Sequence, residues 1–456
     1  MRHRAILIVL TFVALQTVSP ATGSRDPAVT LYDPNPVHIW NRLHAVLLLR
    51  VDANGVSYGS DSPDPLLWQN STYLLAQPSH QRALHVLDEF LQTHAENLIR
   101  DPVKRAILQC DLWAIFDWSV EREPERPEEP DYAHEKRELQ VRLAQVLRRI
   151  ALTSKEIESL PDNYAQAVAS GNFGKAYDPA NQDRAFLPPD LFEQHGSWVN
   201  IDAAGDPEPV TPQHLAAVSG RFRFLVFMRL PAGRKATFDY LRTLWEFPQP
   251  WVVRPDAPKQ TETNPNLPSF PVGTEVALVR QMTLFDNFGN LLPAPITESV
   301  QIRVYRTTGA STTRDAAHAS VFDEMIARSG QDFYEIRLGR QQLFAKQAGG
   351  LRIVGPSERE FFTFNAHGDD QIESSGRRPS SQYPPIIKMC AECHRGSGIN
   401  SLNTREKLLK PGFLRTDPSW TNSYQWWEND GTTWWKQQRY DWGLLNGYWA
   451  ASERLH

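Results

Sequence analysis

The five residues Cys390-Ala391-Glu392-Cys393-His394 constrain this chain more than any other stretch of its sequence. Two thiols three positions apart can each bond to one vinyl group of a single porphyrin, and the histidine that follows can supply an axial nitrogen to the iron. Only 3 of the 456 residues are cysteine, and two of them stand in this pattern. The pattern therefore predicts one covalently attached haem, with Cys390 and Cys393 as anchors and His394 as the proximal iron ligand.

Other uses of two closely spaced cysteines stay open from the sequence. They can form a short disulfide, act as a redox pair or provide half of a zinc site. A structural zinc site usually takes two further ligands at related spacing, and the chain has no second Cys-x-x-Cys and no His-x-x-x-His. A thioredoxin-like site does not need the trailing histidine. The haem interpretation uses all three side chains.

The N-terminus has the pattern of a secretory signal. Arg2 and Arg4 give a positive start, residues 6–18 form an apolar run, and Ala21-Thr22-Gly23 resembles a cleavage site with small residues. The run is short for a bilayer span. We therefore expect residues 1–23 to be a signal peptide, the mature protein to be periplasmic or secreted, and no stable membrane span to remain after signal removal.

Composition narrows the class of partner. The formal net charge is −5 and no long basic run occurs, so nucleic acid is not an expected partner. The low cysteine content argues against a scaffold built from disulfides, and a chain of this length can bury a core without them. The length favours two or three domains.

The pattern along the chain predicts a multi-domain α+β protein. Residues 33–170 read as a helical domain and residues 200–366 as an α+β domain with antiparallel strands, whereas residues 367–456 read as a mainly helical segment that binds the haem. The stretch 248–273 is proline-rich and shows no periodicity, so we expect an irregular connection there.

Local signals support this reading. Thr153 and Glu156 have the spacing of a capping box at a helix start. Residues 222–228 alternate as a half-buried strand, and the turn-prone residues 286–290 separate two apolar, strand-like runs. Cys110 lies on the apolar face of a predicted helix, which favours a core position over a third functional thiol.

The C-terminal segment carries a stripe of large rings. Trp435, Trp442 and Trp449 recur every seven residues with Leu445 between them, which predicts one face of an amphipathic helix. The stripe can be part of the protein core, or some of its rings can enclose the haem. Both interpretations stay open at this stage.

The haem motif resembles that of the c-type cytochromes, and the resemblance covers little more than the motif itself. It implies covalent haem and export, because this haem is attached outside the bacterial cytoplasm. In the common small cytochromes c the motif lies near the N-terminus and a methionine ligand follows it. Here the motif lies near the C-terminus and no methionine follows His394, so the ordinary His/Met fold is not expected.

The sixth iron position decides the function. His367, 23 residues before Cys390, is the named candidate for a distal ligand, and an open iron is an equal alternative. The other histidines and methionines considered are predicted to be surface or core residues: His80, His85, His94, Met228, Met282 and Met325.

Three functions follow from these alternatives. The first is single-electron transfer by a monohaem cytochrome-like protein with a redox partner protein or a small-molecule donor or acceptor. The second is a haem enzyme with an open distal side, such as a peroxidase, to which Arg395 and His367 are conceivable contributors. The third is a binding or scaffold protein with an accessory haem. No catalytic residue is assigned.

Overall fold

A computed structural model describes most of the helical and strand-rich parts of the chain. The described residues are 29–51, 57–59, 61, 73–121, 130–201, 212–308, 330–354, 398–402 and 431–453. The predicted signal peptide, the Cys-x-x-Cys-His motif and His367 lie outside them.

Helices dominate the first third of the chain and return at its C-terminus. Their bounds are α1 (Ile39–Leu48), α2 (Ser79–Gln92), α3 (Pro102–Glu121), α4 (Ala133–Ile150), α5 (Ser154–Glu158), α6 (Asn163–Ser170), α7 (Pro212–Ala217), α8 (Arg234–Glu246), α9 (Arg340–Phe344), α10 (Gly431–Gln437) and α11 (Tyr440–Glu453). The predicted capping box is confirmed at α5, where the Glu156 amide donates to Thr153 Oγ1 and the Thr153 amide donates to the Glu156 carboxylate.

The strands form one large sheet and two small ones. Their bounds are β1 (Arg50–Val51), β2 (Ser57–Tyr58), β3 (Val199–Asn200), β4 (Phe222–Arg229), β5 (Trp251–Arg254), β6 (Ala257–Thr263), β7 (Glu275–Phe285), β8 (Leu291–Tyr305), β9 (Gln331–Leu338) and β10 (Leu351–Ile353). The large sheet has the antiparallel order β10-β9-β8-β7-β4-β3. The predicted α+β class, with helices and antiparallel strands, is confirmed at this level.

The large sheet has one apolar face. Residues such as Val279, Val300 and Ile336 pair across β7, β8 and β9 and are fully buried. Helix α6 packs on this side, and Asn163 joins it to β8 because its side-chain amide donates to Thr297 O at 3.0 Å and accepts from Thr297 N at 2.7 Å. Burial of this face supplies the main driving force for docking helices on the sheet.

The opposite side of the sheet buries a smaller apolar cluster, and charged residues stand beside it on β7–β9. This charged part is here called the polar face. Arg280 on β7 stands opposite Ser299 on β8, and Ser299 stands opposite Arg337 on β9. Arg303 lies four residues after Ser299 on β8, and Glu335 two residues before Arg337 on β9, so both project to the same side. The polar face thus carries three guanidinium groups and one carboxylate among these five positions.

A second core lies among the N-terminal helices and α11. It contains Trp113 of α3 and Leu147 of α4 together with Phe285 of β7 and Trp449 of α11. Gln109 of α3 ties the helices to the sheet, since its side-chain amide donates to Phe285 O at 3.0 Å. Helix α3 therefore contributes to the helical core and also contacts the sheet.

One expectation about the central region is wrong. The stretch predicted as an irregular connection contains the hairpin of β5 and β6, in which Trp251 pairs with Thr263 and Val253 with Thr261. Its strands carry no alternating apolar pattern because β5 is only half-buried and Val253 is exposed. A hairpin held mainly by backbone hydrogen bonds gives a weak periodic signal in the sequence.

Candidate haem-attachment site and the residues around it

The structure describes the chain on both sides of the predicted haem motif. Before the motif, β10 ends at Ile353, and Val354 N still donates to Glu335 O at 2.9 Å. Cys390, Cys393, His394 and His367 then lie outside the described residues. After the motif, the described chain resumes at Gly398.

Residues 398–402, here called the anchor, begin four residues after His394. Gly398–Ser401 form a 3-10 helix whose Ile399 is buried in the same apolar cluster as Phe270 and Tyr305. The Tyr305 hydroxyl and the Ser401 hydroxyl are 2.6 Å apart, and the Ile399 amide donates to Ser269 Oγ at 3.4 Å. The anchor is therefore attached at the end of β8.

Gly398 permits the anchor to approach Ser269 and Thr308 closely. Its φ is +54°, a value that side chains with a Cβ rarely adopt. A Cβ at this position would lie 2.4 Å from Ser269 Oγ and 3.0 Å from the backbone oxygen of Thr308. The anchor approaches the sheet end closely because glycine stands at this position.

The arginines of the polar face are held in place by their neighbours. Arg303 donates to Gln331 Oε1 at 3.1 Å and stacks over the Phe333 ring, 5.1 Å from its centroid. Arg337 donates to Glu335 Oε1 at 2.7 Å. All three guanidinium-bearing residues are at most 7 % exposed, and charges with so little water around them act on one another more strongly than surface charges do.

His214 of α7 lies close to this face. Its ring lies 5.4 Å from that of Phe224, which pairs with Arg280 across β4 and β7. Burial lowers the pKa of His214 to about 4, and the positive charges of Arg303 and Arg280 add to the decrease. The imidazole is therefore neutral near neutral pH, and the local field disfavours a further positive charge.

We expect His214 to make the polypeptide acid-sensitive. Its pKa is about 4 in the folded state against 6.5 for the ordinary group. Between these pH values the unfolded chain binds more protons, so stability falls as the pH falls from 6.5 toward 4. In polypeptide made without haem, His214→Gln should lose less unfolding free energy than the wild type over this interval, as measured by urea unfolding at a series of pH values.

The exposed His85, which is also a histidine on a helix, provides the matched control. His85→Gln should keep the pH dependence of the wild type, because this side chain is 77 % exposed. Parallel pH profiles for wild type and His214→Gln would contradict the prediction.

A buried ion-pair network fixes helix α10, the next described element after the anchor. Lys436 of α10 donates to Asp117 Oδ2 at 2.6 Å and to Asp441 Oδ1 at 2.9 Å, and Arg221 donates to Asp117 Oδ2 at 2.8 Å. Arg439 extends the network, because it binds Asp441 and forms an ion pair with Glu121 at the end of α3. The C-terminal helices are thereby joined to α3 and to the start of β4.

A second buried network joins α3 to the sheet through Arg340 of α9. Its guanidinium donates to Asp111 Oδ1 at 2.7 Å and to Glu298 Oε1 at 2.9 Å. Burial raises the pKa of Asp111, and the attraction of Arg340 works in the opposite direction. Cys110 lies beside this group as a free, buried cysteine, as predicted for a core residue, and burial raises the pKa of its thiol far above the ordinary value.

The tryptophan stripe is divided between two environments. Trp442 and Trp449 are buried in the helical core, with the Trp449 ring 4.9 Å from Phe285 and the Trp442 ring 5.8 Å from Trp113. Trp435 is half-buried, and Arg439 lies over its ring at 4.7 Å. The prediction of a core-packing stripe is therefore confirmed for Trp442 and Trp449.

The alternative iron ligands occupy ordinary structural positions where they are described. Met228 and Met282 are completely buried in the packing of the sheet, as predicted for core residues. His80 is buried with Nδ1 2.9 Å from Leu74 O, and His85 and His94 are exposed. Within the described ranges, no group of three or more His, Cys, Asp or Glu side chains is arranged to hold a metal ion.

Reasoning from sequence missed the polar face and both ion-pair networks. A signal for the face exists in the strands, where Arg303, Glu335 and Arg337 alternate with apolar residues in otherwise buried runs. The networks have no local signal, since Lys436 and Asp117 are 319 residues apart.

Comparison with known proteins adds no relative: no family model, no curated protein and no solved structure matches the chain. In the parts of the chain that the structure describes, none of the helices combines the length and apolar character needed to cross a membrane.

Proposed function

We propose that the chain is an exported protein that binds one haem covalently and transfers single electrons. Cys390 and Cys393 attach the haem, and His394 is its proximal ligand. The observation that carries the proposal is the Cys-x-x-Cys-His sequence in a chain with so few cysteines. The N-terminal pattern of residues 1–23 supports export to the periplasm or the exterior.

The chemistry of attachment needs only these side chains and the porphyrin. Addition of each cysteine S–H across one vinyl double bond forms a carbon–sulfur bond and moves the proton to the other vinyl carbon, so no oxidant is consumed. His394 supplies a neutral imidazole nitrogen to the iron. When bound, the haem supplies an iron that accepts and returns one electron, at a potential that depends on its ligands and its surroundings.

The described residues that follow the motif most closely in sequence lie among groups that suit a haem in chemical terms. A porphyrin is apolar over most of its ring and carries two carboxylates at one edge. The anchor lies against the apolar ring pair of Phe270 and Tyr305, whose centroids are 4.5 Å apart. The guanidinium groups of the polar face lie farther along the same strands.

The domain division belongs to the same proposal. Residues 33–170 form a helical domain, residues 200–366 an α+β domain, and residues 367–456 the haem-binding segment. The first two position the haem segment and provide the surface for a redox partner protein, or for a small-molecule electron donor or acceptor. Attachment of α10 and α11 to α3 through Lys436 supports a positioning role for the helical region.

Replacing the anchoring cysteines is expected to abolish haem attachment. The full chain is expressed in a bacterial host that attaches haem to exported proteins. The mass of the mature wild type should include one haem, whereas that of the double variant Cys390→Ala/Cys393→Ala should not. Cys110→Ala is the matched control, and it should retain the haem because Cys110 is buried in α3. A wild-type mass without haem would overturn the proposal.

The absorption spectrum of the same wild-type preparation separates electron transfer from a haem enzyme. A low-spin spectrum that carbon monoxide does not change indicates an iron with two axial ligands, and His367 is the named candidate for the second. A high-spin spectrum that shifts with carbon monoxide or peroxide indicates an open distal side. The second result would favour an oxidoreductase over an electron carrier.

A further inference from the structure

We propose that the buried charge network around Lys436 selects the position in which helices α10 and α11 dock on the helical core. The network acts as a register device, and Lys436 is its positioning residue. This role does not depend on the proposed haem chemistry, because it concerns only contacts among residues of α3, β4, α10 and α11 and the residues next to them.

The aromatic stripe does not define a single docked position by itself. Trp435, Trp442 and Trp449 are spaced by seven residues, which corresponds to two helical turns or about 10.5 Å along a helix axis. A displacement of this size would bring Trp442 to the place of Trp449 and Trp435 to the place of Trp442. Most apolar contacts of the stripe would be repeated, at the cost of Gln438 in the place of Leu445.

The charged groups, in contrast, match in only one position. Lys436 is completely buried and donates to Asp117 Oδ2 at 2.6 Å and to Asp441 Oδ1 at 2.9 Å. Asp117 belongs to α3 and also accepts from Arg221, which immediately precedes β4, at 2.8 Å. A displacement of α10 and α11 would separate Lys436 from Asp117. Breaking a buried ion pair in this way is strongly unfavourable.

The charge network and the aromatic core are joined at Trp113. The Lys436 ammonium lies over the Trp113 ring, 5.0 Å from its centroid, and the Trp442 ring lies 5.8 Å from the same ring. Gly220 allows α10 to approach closely, because a Cβ at this position would lie 2.9 Å from the Trp435 ring. One position of α10 and α11 therefore satisfies the charges and the rings together.

The physical advantage of such a network is specificity. Taking two charges out of water is costly, so a buried ion pair often stabilises a fold no more than apolar residues of similar volume do. The same pair penalises a wrong arrangement, because an unpaired buried charge costs more than a lost apolar contact. The network balances three carboxylates against three cations: Asp117, Asp441, Glu121, Lys436, Arg221 and Arg439.

The test follows the surroundings of the Trp449 ring by fluorine NMR of the full-length chain labelled with fluorinated tryptophan. In each background, the Trp449 signals are those that Trp449→Phe removes. Lys436→Met removes the cation and keeps a long side chain, whereas Lys436→Arg keeps the charge. Lys235→Met is the matched control, because Lys235 forms an ion pair with Asp239 and is largely exposed. Circular dichroism verifies that each variant is folded.

A second variant removes the carboxylates together with the cation. The triple variant Lys436→Met/Asp117→Asn/Asp441→Asn leaves no buried carboxylate that has lost Lys436. It should therefore be folded even if Lys436→Met is not, and it reports on the register without the penalty of an unpaired charge.

The expected result is a change in the number of Trp449 signals. The wild type and Lys235→Met should each give one signal. Lys436→Met and the triple variant should give at least two, because the Trp449 ring then occupies more than one position. Lys436→Arg should recover most of the wild-type signal, since a guanidinium can still pair with Asp117.

Three outcomes would overturn the inference. A single Trp449 signal in the folded Lys436→Met and triple variants would mean that the rings alone fix the position. A single signal at the shift of a solvent-exposed tryptophan would mean that α10 and α11 no longer dock, so that the network supports docking without selecting a register. Failure of both variants to fold would mean that the network is required for folding itself.

Discussion

Arg340→Met is expected to lower the free energy of unfolding by about 3–5 kcal/mol, because it leaves two buried carboxylates without their cation. Arg340 is fully buried and donates to Asp111 and Glu298 from one guanidinium. Methionine fills a similar volume, so the loss measures charge compensation and not a cavity. Urea unfolding followed by circular dichroism measures the difference.

The control for Arg340→Met is the same substitution at an exposed pair. Arg254→Met removes an ion pair with the largely exposed Asp256 and should cost far less stability than Arg340→Met. The loss of unfolding free energy in Arg340→Met, relative to the wild type, should also be smaller at lower pH. Burial already raises the pKa of Asp111, and without the cation the folded state takes up protons more readily than the unfolded state, so its stability falls as the pH rises. Equal losses in the two variants would contradict the prediction.

Trp449→Ala is expected to destabilise the protein by about 3–5 kcal/mol, the usual cost of removing a large ring from a core. The Trp449 ring contacts Phe285 and Trp442, and its Nε1 donates to Ala144 O at 2.8 Å. The substitution therefore opens a cavity and also removes the hydrogen-bond donor of Ala144 O. Thermal or urea unfolding gives the magnitude.

Trp434→Ala is the matched control for Trp449→Ala, because Trp434 belongs to the neighbouring helix α10 and is 50 % exposed. It should change stability by less than about 0.5 kcal/mol. The absorption spectrum of attached haem should be the same in Trp449→Ala as in the wild type, since this ring packs against the helical core. A shifted haem spectrum with unchanged stability would contradict the core assignment and favour a ring that encloses the haem.

The parts of the fold that the sequence predicts correctly are those encoded over a few residues. Asp286 shapes the turn between β7 and β8, because its Oδ1 accepts from Phe288 N and Asn290 N at 2.8 Å. The start of α5 is visible as a capping box, and the strand β4 is visible as an alternating run, although β4 is buried on both sides and not half-buried as the alternation predicts. Each of these signals involves neighbours along the chain, so no knowledge of the tertiary structure is needed to read it.

The parts that the sequence does not predict depend on residues far apart. Arg340 donates to Asp111, which is 229 residues away in the sequence. The hydroxyl groups of Tyr305 and Ser401 form a hydrogen bond although the two residues are 96 positions apart. Arg280 and Arg303 come to one face of the sheet only through the register of β7 and β8. No periodicity within one element reveals such a pairing.

The sequence by itself supplies the basis of the proposed chemistry, because two thiols and an imidazole stand in five consecutive residues in the pattern typical of covalent haem attachment. It also determined the individual helices and strands whose signals are local. Only the tertiary structure decided that the anchor is attached beside a basic sheet face, and that Trp442 and Trp449 are core residues. The physical reason is that covalent chemistry follows the order of residues along the chain, whereas burial and electrostatic fields follow their arrangement in space.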